Sequence, residues 1–202
     1  MENLKTGDLL LFNYKAGGFF GAFTNMIKWG THSNYSHTAI VLRDPTFLHP
    51  NLKGLYVWES SWENDPDPQD GERKLGVQIT PIGEIFNEYK KTNSHIYYRS
   101  IETNKNLFTN ENLKKVHNVV YKKPYDIVPL DWVEAFFQKD HSQQKTSRFW
   151  CSALVAYIYT QCGVLKSETD WSIMRPVDLS LDGENLNFCD GVKLSSAETR
   201  IF

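Results

Sequence analysis

Three side chains of reactive type stand at the edges of otherwise apolar stretches. Cys151 opens CSALVAYIYTQCG (151–163), His37 opens HTAIVL, and Glu59 closes LYVWE. A free thiol has a pKa near about 8.5, so only a few per cent is thiolate at neutral pH. An imidazole beside it can take the proton and hold the thiolate as an ion pair. A carboxylate on the other ring nitrogen fixes the tautomer and the ring orientation. The first turn of a helix offers unpaired N–H groups and the positive end of the helix dipole, and both favour the anion. The backbone N–H of Cys151 would offer a donor for an oxyanion. Together these groups would attack a carbonyl carbon. Each residue alone has an ordinary reading as well: a core thiol, a satisfied strand histidine, a surface charge at a strand end.

The elements that must position them follow from periodicity. TGDLLLFNY (6–14) reads as a turn followed by a short strand. GGFFGAFTNMIKWG (17–30) spaces Phe19, Phe20, Phe23, Met26 and Ile27 as a helix closed by Gly30. SHTAIVLRDP (36–45) and LYVWESSW (55–62) are strand-like, with a loop over 46–54, and read as antiparallel neighbours. On such strands His37 shares a face with Ala39 and Val41, and Glu59 with Leu55 and Val57. The acidic, proline-rich SSWENDPDPQDGER (60–73) reads as a surface loop, solvated over 63–72. GVQITPIGEIF (76–86) suits a strand running into a turn or short helix, and SHIYYRSI (94–101) a strand. TNENLKKVHNVVYKKPYD (109–126) starts with a cap at Thr109 or Asn110. It places Leu113, Val116, Val119 and Val120 on one helical face and stops at Pro124. PLDWVEAFFQ (129–138) reads as a second short helix. The 151–163 stretch is apolar nearly all round, which predicts a buried helix with Gly163 at its end. This order of elements indicates α+β with a mostly antiparallel sheet.

The 202 residues suit one domain, 1–202, with room for a core. The net charge of −2 lacks the basic surplus that nucleic acid would require. No run reaches the roughly 18 apolar residues of a spanning helix, and Asp8 and Lys15 interrupt the opening stretch where a signal peptide would be continuous. A cytoplasmic location is therefore expected. Cys151 and Cys162, on one helix, would lie about 16 Å apart at ~1.5 Å per residue, too far to bond. Cys162 and Cys189 read as structural. No Cys-x-x-Cys or His-x-x-x-His spacing suggests a metal. His32, His49, His95, His117 and His141 sit in loop-like or mixed settings, and His117 reads as a surface residue of its helix.

In order along the chain, TGDLLLF, NYSHTAIVL, VWES, KKPYD, FWCSALVAYIY and RPVDLS resemble the circularly permuted NlpC-type papain-like hydrolases. The nearest branch resembles the YiiX and poxvirus group, with the LRAT acyltransferases as cousins. The order histidine, acidic residue, cysteine is reversed from the cysteine-first order of papain, as a permutation requires. The resemblance spans most of residues 6–180; segments 62–75 and 139–147 look particular to this chain. It implies a permuted papain-like α+β fold, with an antiparallel sheet packed against a central cysteine-bearing helix and flanking helices. It also implies Cys151 as nucleophile, His37 as general base, Glu59 as the residue that orients it, and supporting roles for Tyr125 and Asp126. Gly7 and Asp8 would be structural. Ala153 departs from the glutamate many relatives carry two residues after the cysteine.

The expected activity is that of a cysteine hydrolase or acyltransferase working on an amide or ester, with no metal or organic cofactor. A lipid acyl substrate ranks slightly above a peptide or isopeptide; the aromatic GGFFGAF (17–23) reads as core or as a place for a lipid chain to dock, and peripheral membrane contact is an expected partner surface. The rival reading is a non-enzymatic binding protein on the same fold.

Overall fold

A computed structural model of the chain describes residues 2–15, 34–62, 65–126, 146–183 and 186–202. The expected helices over 17–30 and 129–138 lie outside these residues, as do His32 and His141. In chain order the described elements are β1 (Leu9–Asn13), β2 (His37–Arg43), β3 (Leu55–Trp62), β4 (Leu75–Pro81) and α1 (Ile82–Lys91). Then come β5 (His95–Arg99), β6 (Ile101–Thr103), α2 (Asn110–Val120), α3 (Cys151–Cys162), β7 (Val192–Leu194) and β8 (Thr199–Arg200). Two short 3₁₀ turns, Trp171–Ile173 and Pro176–Leu179, follow α3.

Six strands form one sheet in the order β4-β3-β2-β1-β5-β8, and β6 pairs with β7 in a second. All of these strand pairs are antiparallel. The α+β class with an antiparallel sheet is as expected. The continuous apolar runs LLLF and AIVL are explained by helices on both faces of the sheet. Leu9, Leu11, Ile40, Leu42, Trp58 and Ile79 face α2 and α3. Leu10, Phe12, Ala39, Val41 and Val57 face α1 through Ile82, Ile85 and Tyr89. Helix α3 is the core element of the first layer: Leu154, Val155, Ala156, Ile158 and Tyr159 are fully buried. Gly163 closes it in a left-handed conformation, φ 77°, as a C-terminal glycine should.

The loop between β3 and β4 differs from the solvated segment expected. Asp67 is buried, its carboxylate paired with Lys74 at 2.7 Å and bonded by the backbone and side chain of Gln69. The acidic composition hides one carboxylate that ties the loop down.

His117 is also not a surface residue. It is half-buried, packed against Trp58, Phe47 and Tyr121, and its Nε2 hydrogen-bonds Gln69 Oε1 at 2.6 Å. Burial first, and the charge of Lys74 second, push its pKa down to about 4. The helical spacing aimed it at the sheet, but the apolar-face count missed it because histidine is polar by type.

Helix α2 is capped by the Thr109 side chain, which accepts from Asn112 N–H, and ends at Val120. It stops short of Pro124 because Lys122 turns left-handed (φ 56°) and residues before a proline avoid the helical region. The strand expected over 94–101 breaks at Ser100, where β5 leaves the large sheet and β6 starts the small one.

The segment after α2 runs along the open edge of β4. Val77 N–H donates to Lys123 O, and Tyr125 N–H to Leu75 O. The close approach requires Gly76 (φ 149°): a Cβ there would lie 2.3 Å from Lys123 O. This strip covers an edge that would otherwise be unpaired and delivers Tyr125 to the sheet end that carries Glu59.

Candidate active site

Register places the site before any side chain is considered. His37 is the first residue of β2 and pairs with Phe12 of β1, the two rings 5.0 Å apart. Glu59 lies on the next strand over, in β3, opposite Gln78 of β4. Cys151 is the first residue of α3, which packs across β2 and β3 through Leu154 and its neighbours. Positions 37, 59 and 151 meet at one end of the sheet.

Two crossing contacts hold the entry to α3. Ser60 Oγ, fully buried, donates to Phe149 O at 2.7 Å. Asp126 N–H donates to the same oxygen, and Phe149 N–H donates back to Pro124 O. The residues just before the cysteine are thus fastened to β3 on one side and to the 124–126 strip on the other.

The side chains complete a hydrogen-bonded chain. His37 Nε2 meets Glu59 Oε2 at 2.7 Å, and the Cys151 thiol is the ring's other neighbour, close enough to raise its pKa. With Nε2 held by the carboxylate, Nδ1 is the nitrogen left for the sulfur. Glu59 is 1% exposed, and its second oxygen accepts from Thr80 Oγ1 at 2.8 Å. Cys151 is 4% exposed and the His37 side chain 18%, so the ring is the more accessible of the pair.

The electrostatics follow from these contacts. Burial pulls the His37 pKa down, but the hydrogen bonds and charges of Cys151 and Glu59 outweigh it and raise it to about 10. Burial pushes the Cys151 thiol up. The His37 hydrogen bond and charge outweigh that, helped by the backbone N–H groups of Thr38 and Ser152, and the thiol falls below its ordinary value. The direction is that of a thiolate–imidazolium pair. Tyr125 lies on the same sulfur. Burial and then the neighbouring Cys151 raise its pKa well above the usual phenol value, which keeps its hydroxyl protonated. Asp126 is buried; its carboxylate lies 4.0 Å from the Arg148 guanidinium and its backbone N–H donates to Phe149 O, so both reach the segment that leads to Cys151.

The structure therefore brings together Cys151, His37, Glu59 and Tyr125, with Asp126 one residue behind. Cys162 stands apart as a buried thiol whose pKa is pushed up to about 12 by burial alone. All three cysteines are free.

No family model matches the chain, and no curated protein matches it.

Sequence reasoning missed Thr38, Ser152 and Thr80. The first two act through backbone N–H groups, which every residue carries and no side-chain pattern reveals. Thr80 was in principle within reach: it lies two residues along β4 from Gln78, on the sheet face that carries Glu59. Among the described residues no cluster of His, Cys, Asp and Glu is arranged to hold a metal ion. No described helix is long and apolar enough to cross a membrane.

Proposed function

We propose that this chain is a cysteine hydrolase or acyltransferase with a permuted papain-like fold, acting on an amide or ester. The observation that carries this reading is the hydrogen-bonded series His37–Glu59–Thr80 with the Cys151 thiol beside the His37 ring, assembled from three strands and the start of a buried helix. A structural thiol has no need of it, as Cys162 demonstrates.

The thiolate of Cys151 attacks the carbonyl carbon. The carbonyl π electrons move to oxygen, and the oxyanion is met by the Cys151 N–H. His37, charged, gives its proton to the leaving amine or alcohol as the acyl–heteroatom bond breaks. A thioester remains on Cys151. Neutral His37 then takes a proton from water, or from an acceptor amine or alcohol, which attacks the thioester and restores the thiolate. Glu59 holds the ring in place through both steps and offsets the charge of the imidazolium. As in the sequence reading, a lipid acyl group ranks slightly above a peptide or isopeptide as substrate. Cleavage of a peptide amide without binding to liposomes would reverse that preference.

The test is incubation of the full chain with a thiol-directed acyl probe, followed by mass spectrometry of each cysteine peptide. The adduct is expected on Cys151 and lost in Cys151→Ala. An adduct on Cys162 instead would reject the assignment.

A further inference from the structure

Helix α3 has no side-chain cap: Trp150 occupies the cap position and makes no capping hydrogen bond. Its first-turn N–H groups have no side-chain acceptor at the cap, and the Ser152 N–H is among the groups that lower the pKa of the Cys151 thiol. A hydrogen bond from that N–H is directional, so it holds only while the first turn keeps its angle. The two residues flanking Cys151 reach for one backbone oxygen. Ser152 Oγ donates to Met174 O at 2.6 Å, and Trp150 Nε1 donates to the same atom at 3.0 Å.

That oxygen is itself held firmly. Trp171, which opens the turn leading to it, packs its ring against Phe149 and Tyr157 at 5.5 and 5.0 Å. On the far side Asp178 accepts from the backbone N–H of Arg175 at 2.8 Å and from its guanidinium at 2.7 and 3.1 Å.

We propose that Ser152 is a positioning residue for the Cys151 thiolate: with Trp150, it locks the first turn of α3 against the Met174 carbonyl so that the Ser152 N–H stays aimed at Sγ. This rests on the reading of Cys151 as a nucleophile. Ser152 is 1% exposed, so a purely structural hydroxyl would satisfy the carbonyl and stabilise the fold. A positioning hydroxyl also sets the acidity of its neighbour.

The experiment compares wild type, Ser152→Ala, Ser152→Thr and Trp150→Phe as full chains. The rate of alkylation of Cys151 by iodoacetamide is followed against pH, resolved from Cys162 and Cys189 by peptide mass spectrometry. Removing the hydroxyl is expected to raise the midpoint by about half a unit or more, the scale of one weakened hydrogen bond to a charged group. Ser152→Thr should restore it, and Trp150→Phe should shift it the same way as Ser152→Ala. An unchanged midpoint in Ser152→Ala, whatever its melting temperature, overturns the proposal. If that variant does not fold, an unchanged midpoint in Trp150→Phe does so. A wild-type midpoint near the free-thiol value of about 8.5 rejects the nucleophile reading itself, and this proposal with it. A low wild-type midpoint with no shift in the variants rejects this proposal alone.

Discussion

At the scale of single residues, a thiol and an imidazole that would both be neutral in isolation at neutral pH share a proton differently here. The sulfur is charged above its lowered pKa, and the ring is charged below about 10. The ion pair therefore exists between those limits: it is lost to protonation of sulfur on the acid side and to deprotonation of the ring on the alkaline side. His37→Ala removes the partner and leaves burial to dominate, so the Cys151 pKa should rise above its ordinary value. Turnover should fall about 10²–10⁴-fold, the usual contribution of a positioned acid–base group. Glu59→Gln keeps a similar shape but not the charge, so the His37 pKa should drop and the alkaline limit of activity should move down. A pH–rate profile of each variant checks both. The contact between His37 and Glu59 was foreshadowed by the family resemblance, since each residue alone reads as an ordinary strand residue. The N–H donors from Thr38 and Ser152 were not, since they depend on backbone direction. Nor was Met174 O, whose role depends on where a turn lands.

At the scale of elements, the site is a product of register. A one-residue slip of β3 against β2 would turn Glu59 to the other face and destroy the contact with His37. The strip after α2 adds the second constraint, because it meets Phe149 beside Ser60. Ser60→Ala should cost about 1 kcal/mol of stability for the lost buried hydrogen bond, measured by denaturant unfolding. It should also lower the rate of Cys151 labelling, because the entry to α3 loosens. The strands and α3 were legible because their periodicity and bounding turns agreed. The end of α2 was placed too late, since nothing in the sequence marks Lys122 as the residue that turns left-handed.

At the scale of the whole molecule, two apolar layers on either side of one sheet supply the rigidity that the site uses. The β3–β4 loop is fastened onto this frame by a buried ion pair between Asp67 and Lys74. Burial raises the Asp67 pKa, with the Lys74 hydrogen bond opposing it. Lys74→Met would leave that carboxylate uncompensated and should destabilise the fold by about 3 kcal/mol, read as a drop in the urea midpoint. Composition misled here: an acidic loop looked solvated because one buried pair is invisible in an average. The antiparallel α+β class was legible, since strand lengths and turn signals determine it. The packing of His117 under the loop was not, because it depends on partners brought from Phe47, Trp58 and Gln69.

The central claim is that Cys151 rests as a thiolate paired with His37. The most direct measurement is a pH titration of ultraviolet thiolate absorbance in the intact protein, taken as the difference between wild type and Cys151→Ala. The expected midpoint lies clearly below the free-thiol value of about 8.5 and moves upward in His37→Ala. A midpoint at or above that value in wild type, unchanged by loss of the imidazole, would contradict it.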